Sequence, residues 1–354
     1  HEHVLMGSSP IGIPAEVKTI GEKMKEGGYQ TAVIGKWHAG SHMQSYLPQN
    51  QGFDHSFVCM GGAISYWNYS AGGRTDIIRN GKKVYPQSKE DGEDSGNTYA
   101  TELWKQEAIE VISGHDKQQP LFLYLPFNAP HVPFHAPQKI LDKYADHEVE
   151  AYWAGPGARL KRTAQNRLIY MAMVDAMDAA IGEIVETLEK KGMLDNTLIV
   201  FSSDNGGIPE ADNRPLRSYK GDAFEGGVRV PGIAFWRGKI QPGSTSSELV
   251  YVADWYNTFA EIAGLSMDTE DKDGISAVHV LKGENGKRKE IPIISAARHA
   301  YITSDFSLVG TGENYYRMVQ RGLSNFRLYD LRGDVSQRQP REQYPEVRKR
   351  MQQA

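Results

Sequence analysis

Cysteine is almost absent: the 354 residues contain one, Cys59. A single thiol excludes any internal disulfide, and with it the small stapled scaffolds of secreted proteins. Long apolar runs are missing as well, none approaching the roughly 18 residues of a membrane-spanning helix. Neither sign of charge dominates, since 40 basic and 44 acidic residues leave a net charge of −4. That balance argues against a dedicated nucleic-acid binder. There is no internal repeat and no low-complexity tract. The chain opens at His1 without a basic segment leading into an apolar one, so it reads as a piece of a longer precursor. What is present is ordinary: 40% apolar and 24% charged residues, enough for a sizeable core in two domains or one large domain with an appendage.

Helical and strand-like patterns alternate along the first 265 residues. Helices are expected over 15–26, 99–113, 163–191 and 253–263, the longest carrying a stripe of Ile169, Met173, Met177, Ile181, Ile184 and Leu188. Strands are expected at Thr31–Ile34, in the run LFLYLPF after Pro120, in TLIVFSS (197–203) and around 228–236. The continuous apolar runs predict strands buried on both faces. Such alternation implies a mixed, mainly parallel sheet between helices, an α/β domain over 1–265. From 266 to 354 the texture changes to short strand-like stretches (291–295, 307–309, 315–319, 327–331) and a charged helix at 344–353. This predicts a small C-terminal antiparallel sheet with one helix. The polar segment 85–98 reads as a loop.

Four clusters fall at the ends of predicted strands, where open α/β sheets gather their ligands. They are Gly35-Lys36-Trp37-His38-Ala39-Gly40, Asn128-Ala129-Pro130-His131, Ser203-Asp204-Asn205-Gly206-Gly207, and Lys220-Gly221 ahead of Glu225-Gly226-Gly227-Val228-Arg229. Singly each has a bland reading: a hydrogen-bonded histidine, a solvated lysine, an Asn-Gly turn. Together they supply two fixed positive charges, two proton carriers near neutral pH and a carboxylate–amide pair suited to a hard cation such as Ca²⁺. The residue types alone point to hydrolysis of an anionic ester, phosphate or sulfate.

The strings GKWHAG, GFDHSF, FNAPHVPFHAP, SSDNGG and LRSYKGDAFEGGVRVPG, in this order, resemble the type I sulfatases of the alkaline phosphatase superfamily, most of all the arylsulfatase B-like branch. The resemblance implies the mixed sheet and small C-terminal domain read above. It implies that Asp204 and Asn205 are ligands of one Ca²⁺, and that Lys36 contacts nucleophile and sulfate. It makes His38 the base that collapses a sulfated intermediate, and His131 with Lys220 the pair that binds sulfate and assists the leaving oxygen. The nucleophile it implies is a formylglycine hydrate made from Cys or Ser. The expected substrate is a sulfated carbohydrate, and the expected compartment is lysosomal, periplasmic or secreted.

The departures are equally definite. The paired Asp and the Cys/Ser-x-Pro-Ser-Arg motif that precede these strings in the family are absent. Cys59 stands in Phe-Val-Cys-Met-Gly-Gly, outside any such motif, and reads as a small buried hydrophobe. The chain is thus expected to be a sulfatase lacking its N-terminal portion and inactive by itself. Two other readings compete: a phosphatase or phosphodiesterase of the same superfamily, disfavoured by Lys36-x-His38, and a catalytically dead glycan- or anion-binding relative. Tyr66-Trp67-Asn68-Tyr69 suggests either an aromatic platform for a sugar ring or packing. Asn68-Tyr69-Ser70 is a glycosylation sequon. His135, separated from His131 by Pro133, is expected to be structural.

Overall fold

The computed structural model describes residues 10–149, 160–268, 273–294, 298–311, 326–341 and 343–353. By contacts the chain divides into two compact units, one built on residues up to 196 with 263–265, the other on 197–262 and 266 onward.

In the first unit, α1 (Ile20–Glu26) is shorter than expected. It begins where Thr19 and Glu22 form a capping box, the Thr19 side chain accepting from the Glu22 N–H and Glu22 accepting from the Thr19 N–H. Residues 15–17 are turn and bend. Strand β1 (Gln30–Lys36) is buried throughout except at its ends. It pairs in parallel with β2 (His55–Cys59) on one side. Two short hairpins follow, β3 (Ser70–Ala71) with β4 (Arg74–Thr75), and β5 (Ile77–Arg79) with β6 (Lys82–Lys83). Helix α2 (Ala100–Gly114) leads to β7 (Leu121–Tyr124), which pairs in parallel with the other side of β1. The sheet order is β6-β5-β2-β1-β7, with β5 antiparallel to β2, so the sheet is mixed.

After α3 (Gln138–Leu141) comes α4 (Leu160–Lys191). Its buried line runs through Ala172, Met173, Ala176, Ala180, Ile184 and Leu188; of the expected stripe Met173, Ile184 and Leu188 are buried, while Met177 and Ile181 are only partly so. The small alanines let α4 lie close on α2, where Lys105 Nζ meets Glu183 at 2.8 Å. Helix α4 ends at Gly192, whose φ of +69° suits glycine.

In the second unit, β8 (Ile199–Ser202) pairs only with β9 (Gly232–Phe235), antiparallel, among the described residues. Between them lies α5 (Glu225–Val228). Helices α6 (Asp254–Ile262) and α7 (Val278–Leu281) follow. The expected C-terminal sheet is present as β10 (Glu290–Ile294), β11 (Arg298–Thr303), β12 (Phe306–Thr311) and β13 (Phe326–Asp330), in that order and antiparallel. One face packs Phe306, Leu308, Phe326 and Leu328 with Met351 of the helix Pro345–Gln353. The other packs Val309 and Tyr329 on Phe224. Strand β11 escapes the sequence pattern, and the strand expected at 315–319 lies outside the described residues.

One expectation is corrected. Strands β7 and β8 are not buried on both faces; each is only half-buried and ends exposed. Among the described residues β7 is the edge of its sheet and β8 belongs to a two-stranded sheet, so neither has a described neighbour on each side.

Candidate active site

The predicted site residues are divided between the units, three in each. Lys36 is the last residue of β1, in register with Cys59 of β2. The strand continues as an extended turn: Trp37 N donates to Cys59 O (2.8 Å) and His38 N to Met60 O (3.2 Å). Trp37 anchors this turn. Its ring is buried among Val33, Phe53, Val58 and Met60, and its Nε1 donates to Tyr46 O at 2.9 Å. A buried Trp between two polar residues therefore fixes where Lys36 and His38 stand.

His131 reaches the same edge by a different route. Lys36 N donates to Pro126 O at 2.7 Å, tying β1 to the loop after β7. In that loop His131 N donates to Asn128 O at 2.8 Å. The buried Asn128 side chain accepts from Trp104 Nε1 (3.1 Å) and lies 3.2 Å from Cys59 Sγ through its Nδ2. Tyr66 Oη donates to His131 O at 3.0 Å. His131 Nδ1 lies 2.8 Å from Val132 O, which places the proton of the neutral ring on Nδ1. Cys59 is fully buried, and burial pushes its thiol up to about 12. It is a packing residue that latches the His131 loop, as its sequence context suggested, and it is unsuited to act as a thiolate.

In the second unit the DNGG loop and the Lys220 loop are knitted together by backbone. Gly206 N donates to Gly227 O (2.9 Å), Lys220 N to Gly207 O (2.9 Å) and Gly226 N to Arg217 O (2.7 Å). A Cβ on Gly206 would stand 2.0 Å from Gly226 O, so only glycine permits the approach. Asn213 Nδ2 lies within hydrogen-bond reach of three carbonyls, Gly207, Ser218 and Gly226. Asp204, Asn205 and Lys220 are thereby brought onto one framework. Arg217 lies 3.9 Å over the Phe224 ring and donates to Gln337 O (2.8 Å), so the C-terminal sheet props this framework from behind. Lys220 sits in a turn ahead of α5 rather than at a strand end.

The donor chemistry of Asp204 and Asn205 suits Ca²⁺, but two side chains fall short of six to eight oxygens. Among the described residues no three of His, Cys, Asp and Glu come together. These residues do not by themselves make a cation site. The run Tyr66-Trp67-Asn68-Tyr69 is packing: Tyr66, Trp67 and Tyr69 are buried, and Tyr66 and Tyr99 stack at 5.4 Å. Asn68 holds the loop, its Nδ2 donating to Lys89 O (3.2 Å) and its Oδ1 accepting from Ser70 N (3.0 Å). His135 packs edge-on against Tyr66, and its backbone carbonyl accepts from Tyr99 Oη. Sequence reasoning missed Asn213, an unremarkable residue in the string until the three carbonyls close around it.

The family model described as Sulfatase matches residues 1–265. Arylsulfatase J of Mus musculus is 30% identical over 269 residues, covering 75% of this chain and 42% of that protein. N-acetylgalactosamine-6-sulfatase of Homo sapiens is 29% identical over 279 residues, covering 76% of this chain and 49% of that protein. Among solved structures, Ps i-CgsB in complex with k-i-k-neocarrahexaose superposes with a TM-score of 0.81 at 27% identity, covering 99% of this chain and 76% of that one. The chain spans about half the length of the curated relatives it matches. Among the described residues no helix is long and apolar enough to cross a membrane. With its family match over three quarters of its length, its α/β sheet and its C-terminal antiparallel sheet in place, the chain belongs to the sulfatase family.

Proposed function

We propose that the protein hydrolyses a sulfate ester of a sulfated carbohydrate, with a formylglycine nucleophile borne outside these 354 residues. The observation that carries this reading is the placement of Lys36 and His38 at and just beyond the end of the interior strand β1, braced by buried Trp37 and tied to the His131 loop. Lys36 supplies fixed positive charge to a developing sulfate oxyanion, which a preorganised site stabilises without reorganising. His38 takes the proton whose removal expels the covalent sulfate. His131 and Lys220 hold the sulfate and assist the departing oxygen. Asp204 and Asn205 are proposed as partial ligands of a Ca²⁺ ion, so the chain alone binds Ca²⁺ weakly in calorimetry. That relatives include an N-acetylgalactosamine-6-sulfatase and a protein solved with a neocarrahexaose supports a sulfated saccharide as substrate.

The test is sulfate release from a fluorogenic aryl sulfate and from a sulfated oligosaccharide. A longer protein carrying the nucleophile motif turns over, whereas this chain does not. In the longer protein Lys36→Ala or Lys220→Ala lowers kcat by about 100- to 1000-fold with an unchanged melting temperature. Turnover by the 354 residues alone would show that the nucleophile lies within them and overturn the mechanism. The missing motif favours one second reading, a non-catalytic sulfated-glycan binder; the longer protein would then bind the oligosaccharide without releasing sulfate.

A further inference from the structure

We propose that Asp76 is a positioning residue for His38, acting through the backbone of Gly61 and Gly62; this rests on the role assigned to His38 in the sulfatase reading. His38 is not glycine, yet its φ is +47°, a left-handed conformation that persists only where the surroundings dictate it. Two contacts dictate it. The His38 N–H is held by Met60 O at 3.2 Å. The imidazole rests directly on Gly62, where an added Cβ would stand 2.6 Å from Cε1, 2.9 Å from Nδ1 and 3.0 Å from Nε2. The ring thus lies on bare backbone, and the height of that backbone sets where the ring nitrogens stand.

Asp76 fixes that height at two points. Its carboxylate Oδ2 accepts from Gly61 N at 2.6 Å, and its backbone carbonyl accepts from Met60 N at 3.1 Å. Asp76 is itself fastened, since its N–H donates to Tyr69 O (3.1 Å) and the next residue, Ile77, stands in register with Cys59. Met60, Gly61 and Gly62 therefore form a short clamp between a fixed carboxylate and the imidazole. The carboxylate is half-buried, and burial raises its pKa while the Gly61 N–H and nearby Lys83 oppose the rise. A half-buried carboxylate placed on the N–H of a glycine pair has a geometric function that neither sheet pairing nor the hairpin requires.

The test uses the ¹³C–¹H spectrum of the histidine Cε1 groups in the 354-residue chain, which holds 11 histidines. The His38 signal is identified by its loss in His38→Gln. In Asp76→Ala that signal shifts or broadens while the signal of His115, buried at the far end of α2, stays in place. In Asp76→Asn, whose amide oxygen still accepts from Gly61, the His38 signal returns toward its original position. Gly62→Ala displaces it even with the carboxylate intact. An unmoved His38 signal in Asp76→Ala, or equal shifts in Asp76→Ala and Asp76→Asn, would overturn the proposal. Should Asp76→Ala lose the His115 signal too, Gly62→Ala decides, and an unmoved His38 signal there is equally fatal. The spectrum reads the placement of His38 directly, so absence of turnover by the longer protein would sink the sulfatase reading and not this one.

Discussion

At the scale of single residues the candidate site depends on side chains that never touch a substrate. Trp37, Asn128 and Cys59 are buried, and their work is to hold Lys36 and His131 at fixed points. Glu225 is a different case. It is buried beside the framework that bears Lys220; its Oε1 has no hydrogen-bond partner among the described residues, and Arg229 lies 3.6 Å from Oε2. Burial raises its carboxyl pKa, with Arg229 opposing. A folded-state value above the unfolded one means the native protein binds the proton more tightly, so stability falls as pH rises through that window. Glu225→Gln removes this titration. It should stabilise the protein by about 1 kcal/mol at neutral pH and make no difference at pH 3, as urea unfolding at both values will show. A constant difference at both pH values would refute the account.

At the scale of elements, α1 shows how local chemistry sets a boundary that periodicity blurs. Apolar spacing extends the helix back to 15, but the Thr-Ile-Gly-Glu string carries the spacing of a capping box, and the helix begins there. Thr19 also donates to Gln51 O at 2.7 Å. Thr19→Ala should therefore cost about 1 kcal/mol or slightly more, measured as a lowered urea midpoint with an unchanged slope. Long helices and central strands were legible because a run of one period leaves few alternatives: β1, α2, α4 and α6 all stand within a few residues of their expected places. The two- and three-residue strands at 70–83 were not, since pairs this short are made by their turns and partners rather than by a pattern of their own, nor was the six-residue β11, whose string RHAYIT carries no clean apolar alternation. The same limit holds at the site. Lys36, His38, His131, Asp204, Asn205 and Lys220 were visible as chemistry, whereas Asp76 and Asn213 matter only through backbone groups brought to them by the fold.

At the scale of the whole molecule, the expectation that matters is exposed apolar surface. Ile233 is 61% and Phe235 40% exposed, both on one face of β9 by strand alternation, in a two-stranded sheet. An apolar pair on so short a sheet is a contact waiting for any partner, and such surfaces favour association. The chain should bind a hydrophobic dye such as ANS in its native state. Ile233→Ser with Phe235→Ser should reduce both dye fluorescence and light scattering, while changing stability by no more than about 0.5 kcal/mol for each substitution. Dye binding unaltered by the pair of changes would place the sticky surface elsewhere.

The knitting of the DNGG and Lys220 loops also has a kinetic consequence. Its hydrogen bonds close short loops, Asn213 to Gly226 across 13 residues, whereas the Cys59–Asn128 latch in the other unit closes across 69. Loop-closure entropy grows with the logarithm of length, so the longer closure costs about 1.5 kcal/mol more before any contact compensates. Local contacts form fast and distant ones late. The closures that join Asp204, Asn205 and Lys220 are thus the early ones, although the Arg217–Gln337 bond that braces them spans 120 residues, and the seat of His131 forms only after most of its unit has collapsed around Trp104. On refolding of the whole chain, the local bonds between the DNGG and Lys220 loops close ahead of the Cys59–Asn128 latch.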